Sequence, residues 1–431
     1  MGHQQLGRTG RRRRQRRSSS RHKVCSGDQQ RFVNLLKFLS GRGFTGSNLK
    51  LCDFTDTGRG LQACFSIQSG QLLISLPESC LITTSTVLRS DLGVYIKRWK
   101  PRLSAILVLC VFLVFERHRG HDSDWSAYIQ LLPQSYTCPA YFSDNVIDLL
   151  PANLRQRGLE QRKTLHELHS SSQDFFRSLQ PLLKNPAQEV MSYEALRWAW
   201  CSVNTRSIFM PQSPSPYLTG EDICVLAPLL DLLNHRPDIQ VKAGFNQVTN
   251  CYEIVSKSQT PRYHQAFINY GSHDNQRLLL EYGFVASSNP HSVVYVEPEI
   301  FHQIIQDDGL IQKMTFLQEH NFLHDLSVSI DGPSWRLMTA VRLLSLPLSH
   351  YHQWKAVLRG QEVGAERERW SLRTVQQVIK RLLVESVRVL EEIRSCLLHS
   401  SPSERQQLVL IQSLREEEQC ILESGLDKLS C

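Results

Sequence analysis

The amino-acid sequence predicts an α+β protein: a β-rich domain at residues 48–271, divided by a helical insertion at about 94–200, and an all-helical domain at 290–431. Three observations carry this expectation. Short apolar pieces of strand length, separated by turn residues, occupy 49–82 and return between 224 and 270. Between them the apolar residues recur at steps of three and four, and they do so again over the last third of the chain. A length of 431 residues allows two or three domains with real cores, and an apolar fraction of 41% is ordinary for a globular protein.

Taken in order, residues 30–39 predict a short amphipathic helix with Phe32, Leu35, Leu36 and Leu39 on one face, ended by a glycine-rich break at 41–46. Residues 49–82 predict strands divided by turns at Asp56-Thr57-Gly58 and Gln68-Ser69-Gly70, the last strand, 72–77, being closed by Pro77. The mostly apolar run 103–115 falls short of the roughly 20 residues that span a bilayer and predicts a buried helix, so no membrane contact is expected. Segments 174–179 and 193–200 have helical spacing, with Trp198 and Trp200 as core anchors. Strands are expected at 224–230, 241–246, 252–257 and 266–270. Near the end, Val375, Val378, Ile379, Leu382, Leu383, Val387, Leu390, Ile393 and Leu397 form one helical stripe, and a second helix runs over 404–423. The Ser400-Ser401-Pro402-Ser403 turn between them predicts an antiparallel pair.

The formal charge of +8 is concentrated at one end. Arg8, Arg11 to Arg14, Arg16, Arg17, Arg21 and Lys23 give the first 23 residues +9 with no acid among them, which leaves the remaining chain at −1. The body therefore has no overall electrostatic footprint for nucleic acid. Residues 1–29 are expected to form a disordered basic arm that serves as a nuclear address, a loose nucleic-acid contact or a plain solvated tail; the sequence leaves the three open. Twelve cysteines include no Cys-x-x-Cys pair, and the His320/His324 pair has no cysteine near it, so no metal is expected. The basic N-terminus is not a secretory signal, and free thiols in cytoplasm and nucleus are the expectation.

Chemistry is concentrated in a few segments: Thr57-Gly58-Arg59-Gly60-Leu61, Ser202-Val203-Asn204-Thr205-Arg206, Asp231-Leu232-Leu233-Asn234-His235, Tyr270-Gly271 and Glu281-Tyr282-Gly283-Phe284. Each alone is weak, and the commoner alternatives are a surface salt bridge for Arg206, an ordinary cap for Asp231, a satisfied strand end for Asn234 and His235, and core packing for Tyr282 and Phe284. In this order, and with the helical insertion and tail, they resemble the SET-domain methyltransferases. The similarity is to the branch of the Rubisco large-subunit lysine methyltransferase, in which a helical insertion divides the SET domain and a helical substrate-binding domain follows. The resemblance covers residues 48–290 and, more loosely, the C-terminal part.

The resemblance implies a β-rich, pseudoknotted SET domain in which the Asn-His segment is threaded past the tyrosine segment, and S-adenosyl-L-methionine as cofactor. It implies that Arg206 reaches the cofactor's carboxylate, that Asp231, Asn234 and His235 lie along it, that Tyr282 and Phe284 pack on its adenine, and that Tyr270 is catalytic and touches it. The implied activity is protein-lysine N-methylation of a histone or non-histone protein by a monomer, without a metal. Two departures stand beside it: Tyr263-His264-Gln265-Ala266 replaces the usual Gly-Glu turn before the tyrosine, and the cysteine-rich zinc segment of histone-type SET enzymes is missing. Tyr270 is expected to orient the amine rather than act as a base, since a phenol of pKa about 10 is mostly protonated at pH 7. A protein-histidine N-methyltransferase and a non-catalytic SET-like scaffold are the alternatives, since the motifs do not identify the acceptor.

Overall fold

The computed structural model describes residues 26–361 and 364–429. The described residues gather into two compact units, 26–133 with 174–270, and 134–173 with those from 271 to 429. Residues 1–25, most of the expected arm, lie outside the described residues. The span assigned to the arm ends too late, because helix α1 covers Ser26–Ser40. Asp28 in its first turn complements the helix dipole and pairs with Arg31 at 3.2 Å, which favours the earlier start. Phe32, Leu35 and Leu39 are buried, as the spacing predicts.

In the first unit, β1 (Leu49–Phe54) and β2 (Gly58–Ala63) form an antiparallel hairpin in which Leu49 faces Ala63 and Phe54 faces Gly58. Gly58 leaves the turn at φ +66, a conformation glycine adopts freely. Strand β3 (Leu72–Pro77) follows. Helix α2 (Ala105–Arg119) is apolar on almost every side and is buried accordingly; the Ser104 hydroxyl caps it by accepting the Leu107 N–H. A one-turn helix, α3 (Ser126–Ile129), precedes α4 (Tyr193–Arg206), which packs on α2. Trp198 of α4 is a core anchor whose indole N–H donates to the Pro133 carbonyl at 2.8 Å.

The strand expected at 224–230 stops at Leu226. Pro228 has no N–H to continue a ladder, and Leu229 turns the chain at φ +76 into a short 3₁₀ turn, Leu230–Leu232. Strands β4 (Asn234–His235), β5 (Val241–Asn246), β6 (Cys251–Ser256) and β7 (Gln265–Ile268) complete two sheets, ordered β1-β2-β7-β4 and β3-β6-β5. Strand β7 ends at Ile268, two residues short of expectation, because the Tyr270 N–H is taken by a side chain rather than by a neighbouring strand.

The second unit takes in residues 134–173 of the helical insertion, which the sequence pattern assigns to the β-rich domain. It is mostly helical but also holds a small sheet of Val293–Tyr295, Ser327–Ser329 and Gly332–Pro333, a correction to the all-helical expectation. Its helices include α5 (Asn275–Tyr282), α6 (Trp335–Ser345), α7 (Ala365–His399) and α8 (Pro402–Lys428). Helices α7 and α8 are antiparallel. Val375, Val378 and Ile379 share one core with Ile421 and Leu422, while Val389 and Ile393 share another with Leu408, Ile411 and Leu414. The turn between them ends in a capping box of Ser401 and Glu404 with Pro402 at the first helical position. Val387 departs from the expected stripe and is 44% exposed. Among the described residues no helix is long and apolar enough to cross a membrane.

Ile379 is fully buried at the centre of the α7–α8 core. Ile379→Ala is expected to cost about 2–5 kcal/mol and Ile379→Val about 0.5–1.5 kcal/mol, read as a graded loss of denaturation midpoint.

Candidate active site

Strand β4 is short, but its pairing is specific. It lies parallel to β7, with Asn234 opposite Phe267 and His235 opposite Ile268, so the Asn-His and Tyr-Gly segments become neighbours despite their separation in sequence. Tyr270 is then tied at both ends. Its N–H donates to His235 Nδ1 at 3.0 Å, and its phenol donates to the Leu233 carbonyl at 2.6 Å. Because Nδ1 accepts, the His235 ring carries its proton on Nε2 as a neutral imidazole. The two rings lie 5.2 Å apart, centroid to centroid.

Asn234 reaches the other way, donating from Nδ2 to the carbonyls of Arg59 at 3.1 Å and Thr57 at 3.4 Å. This close approach explains Gly60. A Cβ there would stand 2.5 Å from Gln265 Nε2 and 2.8 Å from Asn234 Nδ2. Gln265, one of the residues in place of the usual Gly-Glu turn, accepts the Thr57 hydroxyl proton at 2.8 Å. Its buried Nε2 has no hydrogen-bond partner among the described residues.

Arg206 is the last residue of α4 and is directed at the 3₁₀ turn that Leu229 initiates. Its guanidinium donates to the Asp231 carbonyl at 3.1 Å and to Asp231 Oδ2 at 3.3 Å. The Tyr128 hydroxyl, from α3, donates to the same Oδ2 at 3.0 Å. Burial pushes the Asp231 carboxyl up, opposed by Arg206, the Tyr128 hydrogen bond and Arg59. Its Oδ1 is buried with no hydrogen-bond partner among the described residues. Arg59 donates to the Leu131 carbonyl at 2.6 Å and stands 3.9 Å from the partly exposed Asp28. Burial, then the charge of Arg206, pushes its guanidinium down. Two guanidiniums thus face one buried carboxylate, an arrangement suited to one further anionic group.

Five of the expected residues therefore lie together in the first unit: Arg206 on Asp231, Asn234 on the glycine turn, and His235 against Tyr270. Tyr282 and Phe284 belong to the second unit. There they flank Gly283, whose φ of +77 closes α5, and the Tyr282 ring lies 6.1 Å from His273 and 6.3 Å from Phe284. Sequence reasoning missed Arg59, Tyr128 and Gln265. Arg59 sits inside a motif whose glycines carry the signal. Tyr128 carried no signal, being 103 residues from the carboxylate it holds.

A β domain divided by helices, with an Asn-His strand beside the strand that leads into Tyr270, defines a SET-type fold. Residues 306–422 match the family model described as Rubisco LSMT substrate-binding. SET domain-containing protein 4 of Mus musculus is 45% identical over 428 residues, covering 98% of this chain and 97% of the mouse protein. Actin-histidine N-methyltransferase of Homo sapiens is 26% identical over 277 residues, covering 62% of this chain and 44% of that protein. The fold is similar to the crystal structure of the SET domain of LSMT bound to lysine and AdoHcy, with a TM-score of 0.61 at 18% identity, over 93% of this chain and 91% of that one. The chain belongs to the SET-domain methyltransferase family, in the branch that holds SET domain-containing protein 4.

Tyr128 is 1% exposed and its hydroxyl serves the Asp231 carboxylate. Tyr128→Phe is expected to cost about 1.5–3 kcal/mol, the range for a hydrogen bond to a charged group, measured by denaturant unfolding of the full chain.

Proposed function

We propose that this chain is an S-adenosyl-L-methionine-dependent protein-lysine N-methyltransferase acting on a histone or non-histone protein. One observation carries the reading: the Tyr270 phenol is fixed against the Asn-His segment, in the same unit as a half-buried pair of guanidiniums and their buried carboxylate. The similarity of the fold to LSMT bound to lysine and AdoHcy supports it.

The residues fit the group. Arg206, with Arg59 beside it, would hold the cofactor's carboxylate, for which a planar fork is suited. Asn234 and the Gly60 turn would line it, with the buried Oδ1 of Asp231 as an acceptor for its ammonium. When bound, the cofactor supplies a sulfonium methyl, so that a nitrogen–carbon bond forms in line as the sulfur–carbon bond breaks.

Tyr270 then has a defined task. Its proton is committed to the Leu233 carbonyl, so its oxygen presents lone pairs to an amine N–H and fixes the direction of the nitrogen lone pair. The amine must arrive neutral, and its proton leaves to solvent. Tyr270→Phe is expected to lower kcat by at least about 100-fold, the scale of lost orientation, while cofactor affinity stays within about threefold. Cofactor titration together with labelled-methyl transfer checks this. Failure of the wild-type chain to bind cofactor would leave only the scaffold alternative.

The similarity to actin-histidine N-methyltransferase favours a second reading, a histidine acceptor. The two separate by pH. A lysine amine of pKa about 10.4 makes kcat/KM climb about tenfold per pH unit from 7 to 9 unless the site depresses it, whereas an imidazole of pKa about 6.5 gives a plateau above about pH 7.5. Rates across this range, with mass spectrometry of the methylated residue, decide between them.

A further inference from the structure

The second unit contains a cavity of about 190 Å³ that none of the candidate active-site residues lines. Its floor is polar and deeply buried. Gln276 of α5 donates from Nε2 to Glu418 Oε1 at 2.8 Å, and Arg415 donates to Glu418 Oε2 at 3.3 Å and to the Leu149 carbonyl at 3.1 Å. The donors that reach Glu418 are thereby balanced against it, but the acceptor side is not satisfied. Gln276 is only 2% exposed, and its Oε1 has no hydrogen-bond partner among the described residues. A buried amide oxygen without a donor is unfavourable, and this one belongs to a side chain that lines the cavity, so a guest that brings an N–H to it would satisfy it.

The remaining lining has the same sign. Among the other residues lining this cavity the acids Glu297, Glu299 and Glu385 outnumber the one base, Arg381, beside the paired Arg415 and Glu418. Burial and the like charge of Glu299 push the Glu297 carboxyl up, opposed by a backbone hydrogen bond from Asn153. Apolar groups complete the lining: Val294, Ile300, Leu382 and Leu422. A metal ion does not suit the site, because among the described residues no three His, Cys, Asp or Glu side chains are grouped closely enough to hold one. An extended organic cation does suit it, with an aliphatic stem against the apolar residues and a head carrying several N–H donors. The volume lies below the roughly 300–1,000 Å³ of small-molecule sites, so the guest is the size of a single side chain.

We propose that this cavity receives the cationic side chain, arginine or lysine, of a protein partner, and so makes the second unit a reader of basic sequence. The inference does not depend on methyl transfer. The test uses the full chain and three blocked tripeptides, Gly-Arg-Gly, Gly-Lys-Gly and Gly-citrulline-Gly, followed by saturation-transfer NMR without cofactor. The Glu297→Gln/Glu385→Gln variant alters only rim side chains, and unchanged melting verifies its fold. The arginine or the lysine peptide is expected to bind at least about tenfold more tightly than the citrulline peptide, and to lose at least about tenfold in the double variant, the scale of one charge-assisted hydrogen bond. Whether arginine or lysine binds better identifies the head group. Equal binding of citrulline, no binding of any peptide, or binding indifferent to the double variant overturns the proposal.

Discussion

The first unit depends on one short parallel pairing, β4 beside β7, because it places a phenol and an imidazole from distant segments on the same few backbone atoms. Parallel neighbours cannot be joined by a tight turn and need a long connection. Here the connection is not a helix but the β5–β6 hairpin, which pairs with β3 and so is anchored in a second sheet. Strand β4 has only two residues, too few for the ladder alone to fix it. The side chains supply the rest: His235 takes the Tyr270 N–H, Leu233 takes the phenol, and Asn234 is bonded across to the glycine turn. Of these, the Leu233 carbonyl holds the Tyr270 phenol directly and His235 holds its backbone.

The electrostatics follow from burial. An ionised carboxylate at the depth of Asp231 is costly unless paired and hydrogen-bonded. Arg206 and Tyr128 supply the pairing, and the carboxylate in turn fixes the direction of the Arg206 fork. Arg59 lies close enough to lower the Asp231 carboxyl, while burial and Arg206 lower its own guanidinium and Asp231 raises it. The result is a preorganised cationic site rather than an inert salt bridge. Side chains that would wander in water are held by the helix end at Arg206, the turn at Leu229 and the short helix that carries Tyr128.

The parts of this fold that were legible in the sequence are those set by local periodicity and turn chemistry. The α2 run, the β1–β2 hairpin and the antiparallel α7–α8 pair are carried by apolar spacing and by Gly58, Ser401 and Pro402. The parts that were not legible are set by distant contacts. The strand at 224–230 failed at Pro228, whose missing N–H outweighs the apolar run around it. Assignment of residues 134–173 to the second unit depends on tertiary packing, as of Leu150 and Leu154 with Leu279 and Ile411, which no window of sequence contains. At the site, Arg206, Asn234, His235 and Tyr270 stand in motifs whose order is informative. Tyr128 and Gln265 are ordinary residues in ordinary segments, and only the fold gives them partners.

The acceptor is the hardest feature to read because the phenol accepts a hydrogen bond from any N–H, amine or imidazole. The two acceptors nevertheless make different demands. Bringing a lysine amine to its neutral form at pH 7 costs about 4.6 kcal/mol from a pKa near 10.4, while an imidazole of pKa about 6.5 is already mostly neutral. A lysine enzyme must therefore offset much of that cost, and like charges are one means of doing so. The half-buried guanidiniums of Arg59 and Arg206 are not free to act so, because Asp231 and, in the proposed complex, the cofactor's carboxylate offset both positive charges. What remains for a lysine acceptor is desolvation of the amine, which a histidine acceptor does not need, so the charge of the arginine site does not rank the two.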